Sequence, residues 1–196
     1  MMTIMKPGVA MLLFCALIVQ GCAYSKQSVA IKPTLQPGEP IVQAANKTVA
    51  LKVVDERTTA DFGRRIGAGA MGELISSQGD VAAVIREKIA EGLKRNGFVV
   101  EAFNAQAARS MQVTLCAIEY NSGIGIWSFS TKVSAMLKVV GRNQDAACEN
   151  LYRAEAEDRS PTTAFAEDNE ILVNRVMSEV LGKILQDKEL LALLAR

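Results

Sequence analysis

The chain has 196 residues, 49% of them hydrophobic, with a formal net charge of +1 and no histidine. A nearly neutral chain lacks the basic excess that nucleic-acid binding requires, so we predict no nucleic-acid partner. The absence of histidine excludes Ser-His-Asp and Cys-His catalysis and removes the commonest zinc ligand. We therefore expect no catalytic residue, no metal site and no bound cofactor, and we interpret the protein as a non-enzyme.

The start of the chain has the pattern of a secretory signal that ends in a cysteine. Lys6 supplies a positive charge, and Val9 to Val19 form an apolar run of eleven residues, too short for a membrane span of about 20 residues. A small residue followed by Cys22 resembles a bacterial lipobox. We predict that residues 1–21 are a signal peptide and that Cys22 carries a covalent lipid that holds the protein on a membrane. An ordinary signal peptide with a chance cysteine is the alternative.

Residues 22–46 contain three prolines and several polar residues, a composition typical of an extended tether. Ser28 to Ile31 could add a short edge strand, but the run is so short that we favour a plain linker. Residues 47–196 then form a single α+β domain, which we expect to face the periplasm.

The first part of this domain has one clear strand and one clear helix. Alternating apolar residues predict a strand from Thr48 to Val54. Asp55 to Gly79 lacks such a pattern and is interpreted as a long connection. Asp80 has the position of an N-cap for a helix from Val81 to about Asn96, and Gly97 suits the left-handed position that follows.

The second part has a strand meander followed by helices. We predict strands over Met111 to Tyr120, Ser128 to Val140 and Ala147 to Asp158, then a long helix from about Ala166 to Gln186 and a short one capped by Asp187. The order is β-α-β-β-β-α. Two long helices covering one face of a four-stranded sheet give an α+β fold of two layers.

Opposite charges set the predicted register of the last two strands. A turn over Arg142 to Asp145 places Lys132 opposite Glu155. In this register Cys116 and Cys148 are about 23 Å apart along the sheet, far beyond the reach of a disulfide. We therefore expect two free thiols.

Charged residues gather where the first strand ends. Asp55, Arg57 and Arg64 are candidates for binding a partner, because exposed charged residues at strand ends commonly do so. The alternative, which we favour, is an internal salt bridge that pins the long connection to the sheet. Nearby, Gly67 to Gly72 fits G-x-G-x-x-G, but no helix follows it directly, so we predict no nucleotide site.

The connection between two of the meander strands carries the only tryptophan, Trp127, beside Ile124 and Ile126. Such a loop is a candidate anchor for a partner or a membrane, since exposed apolar loop tips mark interfaces. The other interpretation is that its apolar side chains fold over the end of the core.

Several short motifs together resemble one family. They are the lipobox, Asp55-Glu56-Arg57-Thr58, Lys94-Arg95-Asn96-Gly97-Phe98, and Tyr152-Arg153-Ala154 with the final helix from Phe165 to Arg196. With them the chain resembles the YajG-like bacterial lipoproteins, a family with no established biochemical activity. The resemblance implies an envelope lipoprotein of α+β fold. Because Ala23, and not Asp, follows the lipidated cysteine, it also implies the inner leaflet of the outer membrane.

Two functions are compatible with these observations. The first is a membrane-anchored periplasmic lipoprotein that binds or supports an envelope protein without catalysis. The alternative is a carrier of an apolar or glycolipid ligand between the helices and the sheet, which would require an open cavity.

Overall fold

The computed structural model describes residues 26–66 and 72–196, so the predicted signal peptide and Cys22 lie outside the described residues. Over these residues the chain forms eight strands and three helices. They are β1 (Gln27–Ala30), β2 (Thr48–Asp55), β3 (Asp61–Arg65), β4 (Glu73–Gln78), α1 (Val81–Arg95), β5 (Val99–Ala102), β6 (Arg109–Ile124), β7 (Phe129–Asn143), β8 (Ala146–Ser160), α2 (Ala166–Leu185) and α3 (Lys188–Ala195). Within this part of the chain no helix has the length and apolar character needed to cross a bilayer.

The long strand β6 is the centre of a mixed sheet. One edge of β6 pairs antiparallel with β7, which pairs antiparallel with the outer strand β8. The other edge is shared, because β2 runs parallel to the first half of β6 and β3 meets its second half. β5 extends the sheet beyond β2, while β4 and then β1 extend it beyond β3. A bulge in β6 between Leu115 and Ala117 lies where these two arms part.

The prediction of a four-stranded sheet with two long helices is therefore wrong. The described chain has an eight-stranded sheet and three helices. The missed strands, β1, β3, β4 and β5, have only four to six residues each. Strands this short contain too few alternations to give a period-2 pattern; in β3 only Phe62 is buried. The connection predicted from Asp55 to Gly79 contains the β3–β4 pair.

The longer elements and their caps match the prediction. The Asp80 side chain accepts a hydrogen bond from the Ala83 N–H at 2.9 Å, and Gly97 has a φ of +78°, so α1 begins and ends as expected. Asp187 caps α3 by accepting from the Leu190 N–H at 3.0 Å. Capping residues act through local hydrogen bonds, which is why the sequence alone located these helix ends.

The predicted register between β7 and β8 is shifted by two residues. Asn143 pairs with Ala146 across a two-residue turn, so Lys132 lies opposite Glu157 and not Glu155. A shift of two residues keeps every side chain on its predicted face, since the pleat has a period of two. The Lys132 ammonium still reaches Glu155 diagonally, with 3.1 Å between Nζ and Oε1.

Both predicted free thiols are confirmed, since neither Cys116 nor Cys148 is in a disulfide. Cys116 occupies the bulge of β6, and Cys148 lies opposite Gly141 on β7.

The core lies between the sheet and the helices. The fully buried large side chains come from both layers and include Leu51, Met111, Leu115 and Leu137 of the sheet and Ile85, Ile89, Leu93, Leu172, Met177, Leu181 and Ile184 of the helices. Where α1 and α2 approach, a Cβ added at Gly92 would lie 2.3 Å from Cδ1 of Leu185. The absence of a side chain at Gly92 allows this close approach.

The segment interpreted as a linker is a strand with an ordered extension. β1 pairs in parallel with β4, and the backbone N–H groups of Ala30, Lys32 and Thr34 donate to side chains of α2. Their acceptors, Glu170, Asn174 and Ser178, are spaced by four residues. Two residues of extended chain advance about 6.6 Å and four residues of helix about 6 Å, so the two repeats match. The linker interpretation of Ser28 to Ile31 was therefore wrong.

Candidate functional site

The predicted pair at the end of β2 forms an internal salt bridge. Arg57 donates from Nε to Asp55 Oδ1 at 2.9 Å and from Nη2 to Oδ2 at 2.6 Å. Nη2 also lies 3.2 Å from the Ser77 hydroxyl on β4, and the Arg57 side chain is 8% exposed. The hydrogen bonds from Arg57 hold the pKa of Asp55 below its ordinary value, because they favour the charged carboxylate. This geometry favours the internal salt bridge over a partner contact at these two residues.

Arg64 is exposed on β3, and its Nη1 lies 3.5 Å from the carbonyl oxygen of Gly72. Its neighbour Arg65 forms an ion pair with Glu73 and donates to the Ala164 carbonyl at 3.0 Å. Most of the glycine-rich segment, residues 67–71, lies outside the described residues. The segment joins the antiparallel strands β3 and β4, which is not the strand-to-helix junction that a pyrophosphate turn requires.

The loop between β6 and β7 is fully presented to solvent. Ile124 is 67% exposed, Ile126 91% and Trp127 90%. A hydrogen bond of 2.7 Å from the Gly125 N–H to the Ser128 carbonyl closes the turn. The side chains thus point away from the core, contrary to the interpretation in which they fold over it. Large apolar side chains this exposed make the loop a candidate contact surface.

A second exposed apolar side chain lies beside the start of β1, since the Gln27 side chain donates to the Ala166 carbonyl. Phe165, the residue before α2, is 68% exposed. β8 ends at Ser160, which pairs with Phe129 at the base of the same loop, so the connection to α2 begins there. We refer to Ile124, Ile126, Trp127 and Phe165 as the apolar end.

The start of the described chain lies at this end of the domain. One row of paired residues crosses the sheet through Gln27, Ile75, Gly63 and Tyr120. β6 runs from this row toward the loop, whereas β1 runs away from it, because β1 is parallel to β4 and β4 is antiparallel to β3. The N-terminal end of β1 therefore faces the side of the sheet that carries the loop.

A buried polar cluster fixes this arrangement. The Tyr120 hydroxyl donates to Oδ1 of Asn169 at 2.8 Å, and Asn169 Nδ2 donates to Oε1 of Gln27 at 2.9 Å. Asn169 is fully buried, and burial raises the pKa of Tyr120 above its ordinary value. Sequence reasoning missed the cluster. The sequence signal that could have located it is the spacing of Asn169. It precedes the buried Leu172 by three residues and the buried Val173 by four, so it lies on the same face of α2.

A cleft of about 830 Å³ lies on the outer side of α1 and α2, under residues 34–41. Arg95 donates to the Gln36 carbonyl at 3.1 Å, and Oδ1 of Asn96 accepts from the Ile41 N–H at 2.8 Å, so these bonds hold the covering segment in place. The cleft was not anticipated, because residues 22–46 were interpreted as a tether. Its charged lining residues are Glu39, Arg95, Arg175, Glu179, Lys183 and Lys188.

No metal centre accompanies these features. The part of the chain that the structure describes contains no group of three or more Cys, Asp or Glu side chains placed to hold an ion.

A family model described as "Uncharacterized lipoprotein", Lipoprotein_16, matches residues 34–195. The chain belongs to this lipoprotein family. The resemblance to YajG-like lipoproteins is thereby confirmed. The match runs from the segment over the cleft to the end of α3 and leaves out only β1 among the strands and helices described. No curated protein matches the chain.

Solved structures align with the chain at low sequence identity. A Xanthomonas campestris protein of the DUF330 family aligns with a TM-score of 0.52 and 8% identity, over 86% of this chain and 95% of that one. A minor lipoprotein of Acinetobacter baumannii aligns with a TM-score of 0.46 and 7% identity, over 71% of this chain and 90% of that one. At such identities the first alignment shows a common fold and the second carries no further argument.

Proposed function

We propose that this lipoprotein is held by an acylated Cys22 in the inner leaflet of the outer membrane, faces the periplasm, and works by contact and not by catalysis. In this role it is an accessory protein of the cell envelope. Membership of the lipoprotein family supports the anchor, and the lipobox before Cys22 supports its position. The residue after Cys22 is Ala23 and not Asp, and by the family resemblance this supports placement in the outer membrane.

The apolar end is the observation that carries this proposal. Most large apolar side chains are enclosed in one continuous core, and among the exposed ones of the described residues Ile126 and Trp127, at about nine-tenths, are the most exposed. Burying such a side chain is worth about 2 to 3 kcal/mol, so an unused exposed cluster is unfavourable. A contact surface explains why the side chains point outward.

The charged groups support a non-catalytic role. Asp55 and Glu155 accept hydrogen bonds from Arg57 and Lys132, which hold the pKa of each carboxyl below its ordinary range. A catalytic acid at neutral pH needs the opposite shift. The 196-residue sequence has no histidine to act as a base.

The carrier alternative has weaker support. It needs a cavity between the helices and the sheet, but there the largest side chains are fully buried and in contact. The cleft under residues 34–41 lies outside this core, on the outer side of α1 and α2. It is therefore not the cavity that the carrier hypothesis requires between the helices and the sheet.

Two experiments on cells test the proposal. Metabolic labelling with an alkyne fatty acid should label the protein, Cys22→Ala should abolish the label, and Cys116→Ala should retain it. A photo-reactive residue at Ile126 should give adducts in the native envelope above a matched probe at the exposed Glu155. Labelling that survives Cys22→Ala, or equal adducts at both probes, would contradict the proposal.

A further inference from the structure

We infer that the occupant of the apolar end is the membrane itself: Ile124, Ile126, Trp127 and Phe165 insert into the leaflet that holds the lipid of Cys22. The inference rests on the proposed function, because it takes the anchor to be the acylated Cys22. It goes beyond that function by naming a lipid surface as the contact.

The first step is the direction of the chain. Gln27 lies in the row of residues that includes Tyr120, and β1 runs away from the loop between β6 and β7. The side chain of Gln27 also donates to the Ala166 carbonyl at 2.8 Å, which places Phe165 beside the point where the described chain begins. The lipidated residue is therefore connected to the domain at the apolar end.

The second step is the length of the connection. Cys22 precedes Gln27 by five residues, which span at most about 17 Å when extended. Ile124 follows Tyr120 by four strand residues, so the loop projects about 13 Å beyond the row. Cys22 can reach the level of Trp127 but not far beyond it. A lipid inserted at Cys22 thus brings the loop to the bilayer surface.

The third step is the chemistry and spacing of the side chains. Tryptophan concentrates at membrane–water interfaces, and isoleucine and phenylalanine partition toward the acyl chains. β1 and β6 are separated by β4 and β3, so the start of β1 and the strand that leads into the loop are about 14 Å apart across the sheet. Contacts spread around a lipidated chain fit a flat surface better than one narrow protein groove.

The charged residues at the apolar end do not favour anionic lipid over uncharged lipid. Arg64 is exposed at this end, but Glu167 and Asp168 lie in the first turn of α2 beside Phe165. With both signs present, we expect the contact to persist in uncharged lipid and at high salt. Apolar insertion has this property, whereas attraction to anionic headgroups is screened by salt.

Trp127 provides a direct test, because it is the only tryptophan in the chain. The purified acylated protein is incorporated into vesicles of phosphatidylethanolamine and phosphatidylglycerol that contain a brominated phosphatidylcholine. We expect a blue-shifted emission and several-fold stronger quenching by the brominated lipid than by aqueous acrylamide. The matched control is the double variant Trp127→Phe, Leu151→Trp, since Leu151 is 62% exposed on β8. Its tryptophan should respond to acrylamide and not to the brominated lipid.

The outcomes separate the two proposals. If mass spectrometry shows the acyl chains on Cys22 but Trp127 responds only to acrylamide, the membrane contact is overturned and the lipid anchor stands. If Cys22 carries no lipid, both fail. In cells, lipid adducts from the Ile126 probe would support the inference, and one recurrent protein adduct would overturn it.

Discussion

The hydroxyl of Tyr120 donates a hydrogen bond of 2.8 Å to Oδ1 of Asn169, and this bond joins the middle of β6 to the first turn of α2. Asn169 also connects α2 to β1, because its Nδ2 donates a hydrogen bond to Gln27 at the start of that strand. One buried amide therefore holds together the sheet, the long helix and the strand that leads to the predicted lipid anchor.

Replacing Asn169 with leucine should be strongly destabilising. The change leaves the buried Tyr120 hydroxyl without its main partner and removes the bond to Gln27. An unsatisfied buried polar group costs about 1 to 3 kcal/mol. Urea unfolding should show a loss of this size. Glu179→Leu, an exposed change on the same helix, is the control and should change the free energy of unfolding by less than about 0.5 kcal/mol.

Replacing each of two helix glycines with alanine should change the stability of the fold in opposite directions. A Cβ at Gly92 would lie 2.3 Å from the Leu185 side chain, whereas a Cβ at Gly182 meets no atom within 4 Å. Overpacking costs about 1 to 3 kcal/mol, and alanine in an open helix position gains about 1 kcal/mol over glycine. Thermal unfolding should show a lower midpoint for Gly92→Ala and a higher one for Gly182→Ala. A rise for both would show that Leu185 moves aside without cost.

Asn174→Ala should lower the local opening free energy of the extended segment that follows β1 along α2. Asn174 accepts from the Lys32 N–H at 2.6 Å and donates to the Ala30 carbonyl at 2.9 Å. Without it, hydrogen exchange at the Lys32 amide should accelerate, while protection in β6 stays unchanged because only the local opening free energy falls. Equal acceleration in both places would mean that the segment and the sheet open together.

Asp55 should make the stability sensitive to acid. The hydrogen bonds from Arg57 lower the folded-state pKa below the ordinary value of 3.8. The carboxylate therefore stabilises the fold above this value, and the contribution is lost as the pH falls through the folded-state pKa. Unfolding free energies from pH 7 down to about pH 3 should decrease for the natural chain.

Asp55→Asn should be less stable than the natural chain near neutral pH, with a difference that shrinks below about pH 4. Glu155→Gln removes the exposed pair with Lys132 and serves as the control, since salt should abolish its small effect. If the difference in unfolding free energy between Asp55→Asn and the natural chain does not change with pH, the lowered folded-state pKa of Asp55 is contradicted.

The sequence was informative where the physical signal is local or long. Asp80 and Asp187 could be recognised as caps because capping acts over three residues. β6 and β7, with 16 and 15 residues, are long enough for alternation to define them. The location of Trp127 in a connection between strands was also correct.

Features that depend on distant partners could not be predicted. β1 has four residues, and its contacts with β4 and α2 depend on residues 48 to 144 positions away. The salt bridge of Arg57 was favoured from the sequence, but its second partner, Ser77 on β4, depends on the fold and could not be named. The proximity of Gln27 to the apolar end depends on the order of four strands, which no local pattern contains.

β8 lies at one edge of the sheet, and this position affects how copies of the protein can associate when they are close together. Among the described residues β8 pairs with β7 alone, so a strand of 15 residues leaves one backbone edge unpaired. Tethering to a membrane confines copies to a thin layer, and a bare edge could then join them edge to edge. Arg153, Glu155 and Glu157 point outward from β8 and carry charges of both signs. Another strand would have to desolvate them in order to dock, so the charges on β8 oppose edge-to-edge association of copies.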